Sequence, residues 1–146
     1  MKESKRNLKV LSIVILAMAV YSLIRVVLSV FTMDFDVNNL PDGATASIVL
    51  AGQIAVCVIS LILLLPQVFV GVKGIKVSNT PDSFKAHIVW AVILAVFSIL
   101  GVISPVSNLI QNTDVVGNLF EVADMVIDAV IYIVYIKYAK QIRAAA

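Results

Sequence analysis

Four long apolar runs, Leu8–Thr32, Ala46–Val72, Ala86–Val106 and Val115–Tyr138, constrain this chain more than any motif in it. As helices they would measure about 37, 40, 31 and 36 Å, against about 30 Å for the hydrocarbon core of a bilayer. Membrane strands would need shorter, alternating segments separated by turns, and the runs lack that alternation. A soluble fold cannot hide them either. The chain has 146 residues, 61% hydrophobic and 14% charged, whereas ordinary globular chains hold about 45–50% and 25%. So short a chain buries too little of its surface to absorb the excess. The expected fold is all-α: a single membrane domain over 1–146, built as a four-transmembrane-helix bundle with the lipid bilayer as solvent.

The first run begins like a signal peptide, and Ala44-Thr45-Ala46 has the look of a cleavage site. Its apolar stretch is about twice the 7–15 residues of a signal peptide, so it reads as a retained helix. Orientation follows from lysine and arginine. Lys2, Lys5, Arg6 and Lys9 precede the first run; Lys73, Lys76 and Lys85 flank the second loop; Lys137, Lys140 and Arg143 close the chain. That is ten of the eleven basic residues on one side of an alternating topology. The other two loops hold Asp34, Asp36, Asp42 and Asp114 and no base. The positive-inside rule then predicts a multi-pass protein of the cytoplasmic (inner) membrane, with both termini in the cytoplasm. The basic collar suits anionic headgroups there.

The chemistry-bearing residues exclude more than they suggest. One cysteine, Cys57, rules out an intrachain disulfide, and one histidine, His87, rules out paired-histidine metal or haem ligation. Cys57 reads as a small hydrophobe against a neighbouring helix, and His87, beside Trp90, as interfacial. No nucleophile–base pair, phosphate loop or metal constellation is present, so neither an enzyme nor a cofactor is expected. A net charge of +2 gives no footprint for nucleic acid.

The eleventh base is the anomaly. Arg25 lies sixteen residues beyond Lys9, about 24 Å along a helix. It shares a face with Ser22, Ser29 and Thr32, and facing lipid there would be expensive. The fourth run offers partners: Glu121, Asp124 and Asp128 recur at three- and four-residue spacing, continued by Tyr132 and Tyr135. Counted from Lys137, the three acids stand at heights of about 24, 20 and 14 Å, so Arg25 is level with Glu121 and Asp124. The second run adds Gln53, Cys57, Ser60 and Gln67. A buried Arg–carboxylate cluster is expected, an intramembrane salt bridge clamping the first and fourth helices.

Insertion energetics give that cluster a consequence. Thirteen large apolar residues between Val115 and Ile136 contribute on the order of −5 kcal/mol, and a central aspartate costs about +3. The fourth helix therefore inserts marginally alone and needs the others in place. One arginine facing three acids also leaves a formal deficit that a proton or a cation would fill. The leading functional expectation is a non-enzymatic accessory or interaction subunit with a partner membrane protein. The alternative is a proton- or cation-coupled transporter, or a binding protein for a small cationic ligand, acting as a homo-oligomer. The candidate site is Arg25, Gln53, Glu121, Asp124, Asp128 and Tyr132.

Trp90, Tyr135 and Tyr138 are expected as interfacial anchors. Pro66 and Pro105 should kink or end their helices. Gly71-Val72-Lys73-Gly74-Ile75-Lys76 reads first as an ordinary helix end with a basic anchor, close packing through small residues being the alternative. Gly52, Gly101 and Gly117 are further candidates for close approach. The glycine-spaced helix end leads through the polar stretch Val77–Lys85 into a third span, and this layout resembles that of small, functionally uncharacterised bacterial tetraspan membrane proteins. The resemblance implies the four-span fold and no activity.

Overall fold

A computed structural model describes residues 2–31, 45–80, 85–111 and 115–144. Its elements are α1 (Lys2–Phe31), α2 (Ala46–Asn79), α3 (Ala86–Gly101), α4 (Ile103–Ile110) and α5 (Val115–Ala144), and no strand occurs among the described residues. Valine and isoleucine dominate these segments although neither is a strong helix former. In apolar surroundings the decisive factor is different: a helix satisfies every backbone donor and acceptor within its own segment. Three segments, Lys2–Leu28, Ser47–Asn79 and Ala86–Ile110, are long and apolar enough to cross a membrane. The chain thus has the helices of a membrane protein. With 30 residues, α5 matches α1 in length but intersperses Glu121, Asp124 and Asp128 in its apolar surface.

The helices run past the apolar segments at their basic ends. Lysine, arginine and glutamate are good helix formers, so α1 begins at Lys2 with Glu3 in its first turn. In the same way α5 continues to Ala144 with Arg143 in its last. The two prolines behave differently. Helix α2 runs on through Pro66, so of the two expected outcomes the helix end does not occur there. Near Pro105 the rod does break: Val102 separates α3 from α4, its N–H turning back to Ile99 O at 3.3 Å. Pro105 has no N–H to offer the carbonyl four residues earlier, that of Gly101.

Neighbouring helices form a ring in which α1 packs on α2, α2 on α3, α3 on α5 and α5 on α1, while α4 continues α3 along α5. The closest partnerships are α1 with α2 and α3 with α5. Both termini lie at one end, where Ser4 Oγ donates to Gln141 Oε1 at 3.1 Å. The core also sits at this end and includes Leu8, Ile15, Val77, Ile88, Tyr135 and Ile142.

Two glycines let α1 approach α2. A Cβ at Gly74 would collide with Ser12 Oγ and stand 2.7 Å from the ring and hydroxyl of Tyr135; one at Gly71 would stand 2.6 Å from Leu16. The Gly71-x-x-Gly74 pair is therefore a packing device, not merely a helix end. Ser12 fits because its hydroxyl is turned back to Leu8 O at 2.7 Å. Gly52 has nothing within 4 Å of its Cβ position and permits no close approach; Gly101 faces Met125.

Two expected interfacial residues lie in this core instead. Tyr135 is fully buried and His87 is 1% exposed, their rings edge to face at 6.1 Å. The Tyr135 hydroxyl donates to Val70 O at 3.1 Å. It thereby ties α5 to α2 across the bundle. Trp90 is exposed and Tyr138 half-buried.

Candidate functional site

Away from the termini the four rods separate and leave a cavity of about 600 Å³. Every rod contributes: Ser22, Arg25 and Val26 from α1; Ser60, Leu63, Leu64 and Gln67 from α2; Leu94, Phe97 and Ser98 from α3; Met125, Asp128 and Tyr132 from α5. The volume lies within the roughly 300–1,000 Å³ of small-molecule sites, as does a wall that is mainly apolar with a few converging polar groups.

The floor follows from the packing below it. Tyr132 is one turn before Tyr135 on the same face of α5, and its hydroxyl meets the Gln67 side chain of α2. Both residues are buried. Asp128 stands one turn higher, half-buried. Helical rise sets the remaining levels. The space at Gly74 brings Ser12 and Tyr135 to one height, so Asp128, seven residues from Tyr135, is about 10 Å above it and Arg25, thirteen from Ser12, about 20 Å. Ser98 on the opposite wall turns its hydroxyl to Leu94 O at 3.0 Å.

Arg25 pairs with Asp124 as their matched heights predict, Nη1 to Oδ2 at 3.8 Å. The expected burial is not found. The two side chains are 58% and 60% exposed, and Glu121 is exposed as well. The physical reason is local: among the described residues no neighbour covers the seam between α1 and α5 at this height. A buried Arg–carboxylate cluster is thus corrected to an exposed pair, with the Arg25 guanidinium also 5.9 Å from the Tyr21 ring. Gln53 is helical, but its side chain lies outside the described residues, as do the acidic loop positions Asp34, Asp36, Asp42 and Asp114.

The structure therefore divides the six candidate residues. Arg25, Asp128 and Tyr132 share the cavity; Asp124 backs Arg25 from outside it; Glu121 stands apart from the lining. The polar stripes of the sequence had marked Ser22, Ser60 and Gln67. Leu94, Phe97 and Met125 carried no signal, because an apolar side chain in a membrane-length helix is the default. Cys57 is free and half-buried, and no cluster suited to a metal ion occurs among the described residues. Near the end of α4, Asn108 Nδ2 donates to Asn118 Oδ1 at 3.4 Å, joining α4 to α5.

No protein family matches the chain, and neither does any curated protein or solved structure.

Proposed function

We propose that this is a non-enzymatic, multi-pass protein of the cytoplasmic membrane that binds a small cationic ligand within its helix bundle. The chain crosses four times with both termini in the cytoplasm, α5 being the fourth span, stabilised by the helices around it. The clustering of Lys5, Lys9, Lys73, Lys76, Lys85, Lys137 and Lys140 at the termini end supports this orientation. Reporter fusions at Met1, within residues 77–83 and at Ala146 should all report cytoplasm, and a periplasmic signal at any one overturns the topology.

One observation carries the binding reading: the cavity on four helices with Asp128 and Tyr132 at its closed end. Asp124 already answers the charge of Arg25, which leaves the Asp128 carboxylate to attract a cation. The Tyr132 and Phe97 rings supply faces that favour one. Hexylammonium binding to the nanodisc-held protein should raise its melting temperature, and Asp128→Asn should abolish the rise. A melting curve unmoved by any small organic cation would remove the proposal.

The accessory-subunit reading is second. The exposed Arg25–Asp124 pair favours it, with Glu121 one turn away, because charged groups on the outer surface of a membrane helix gain from a covering partner. Native mass measurement distinguishes it: a partner membrane protein or a second copy bound at this seam supports that reading, and a bare monomer opposes it.

A further inference from the structure

The charges in the cavity wall are arranged along its length, not gathered at one point. Among the described residues that line it, Arg25 is the one base and Asp128 the one acid. They belong to opposite pairs of rods, α1 with α2 and α3 with α5. Their Cα positions differ in height by about 10 Å. The ion pair that Arg25 makes is with Asp124, outside the lining, and at 3.8 Å through one nitrogen it is loose. A guanidinium carries five N–H donors, so the pair leaves donors for an oxygen arriving from the cavity. Most of the remaining lining is apolar and includes Val26, Leu94, Phe97 and Met125.

We infer that the ligand is dipolar: an ammonium group seated on Asp128 at the deep end, an anionic oxygen on Arg25 at the mouth, and an apolar body between. This rests on the cavity being a ligand site, as proposed above. A simple cation satisfies Asp128 and leaves the spare N–H donors of Arg25 unused; a simple anion meets those donors and leaves the half-buried Asp128 unanswered. A molecule with both ends answers both walls and bridges the two helix pairs. The anionic end is a carboxylate in a soluble amino acid or a phosphate in a zwitterionic lipid headgroup, and the recognition chemistry is shared.

Three probes of equal chain length test it on the full chain in phosphatidylglycerol nanodiscs: 6-aminohexanoate, hexylammonium and hexanoate. With a charge-assisted hydrogen bond at each end, 6-aminohexanoate should bind about tenfold or more tighter than either singly charged probe. This ranking needs no variant. Arg25→Gln should lower its affinity to that of hexylammonium, and Asp128→Asn to that of hexanoate. Phosphatidylethanolamine added to the nanodisc should compete if a headgroup is the natural source, and leave binding unchanged if a soluble molecule is. Hexylammonium binding as tightly as 6-aminohexanoate, or indifference to Arg25→Gln, overturns the dipolar ligand and leaves the cation reading standing. If none of the three probes binds, both fail.

Discussion

The two ends of the bundle are built from similar residues and behave differently. At the termini end the rods touch: Gly71 and Gly74 admit Ser12 and Leu16, and Tyr135 reaches across to Val70. At the other end Gly52 has an empty Cβ position and Arg25 and Asp124 are more than half exposed. Both regions are rich in valine, leucine and isoleucine, so hydrophobicity does not separate them. Small residues do. Between helices in an apolar solvent, attraction comes from close van der Waals contact and hydrogen bonds, and a helix end without facing small residues gains little by closing.

The sharpest way to break this contrast is to remove the residue that closes the packed end. Tyr135→Ala should cost about 3–5 kcal/mol, the range for emptying an aromatic-sized site, read from unfolding of the purified protein in mixed micelles. Tyr135→Phe keeps the ring and should lose only about 1 kcal/mol with the hydrogen bond to Val70. Equal losses for the two would mean that the hydroxyl, not the packing, holds the end together.

Next in size is Gly74→Ala, expected to destabilise by about 1–3 kcal/mol by overpacking against Ser12 and Tyr135. Its counterpart Gly52→Ala should do the reverse, stabilising by about 0.5–1 kcal/mol through helix propensity alone. A loss at Gly52 similar to that at Gly74 would show that the far end closes against something in solution. The smallest effect belongs to the ion pair. A double-mutant cycle of Arg25→Met with Asp124→Leu should give a coupling of about 0.6 kcal/mol, as for polar contacts between membrane helices. A coupling several times larger would place the pair in a desolvated contact and erase the difference between the ends.

Much of the helical layout was legible, because apolar runs of this length have one stable backbone solution. The pairing of Arg25 with Asp124 was also legible, since helical rise fixes height. Burial was not. Height along an axis carries no information on whether a neighbour covers the seam, and among the described residues none covers this pair. Tyr135 and His87 were misread for a related reason: aromatic residues near basic helix ends suit both an interface and a core. The glycine spacing beside them distinguishes the two. Gly74 opens a space on α2 at the height of Tyr135, and the tyrosine fills it.

The break at Val102 is local, since its backbone angles remain those of a helix. Its origin is Pro105, which leaves the Gly101 carbonyl without its usual donor. Beyond that point the stitch between Asn108 and Asn118 fastens α4 to α5, and at it Gly101 faces Met125. Leu94, Phe97 and Ser98 precede it on regular helix. The splice in the rod is thus clamped to its neighbour on the far side, and the cavity wall is laid on the unspliced length.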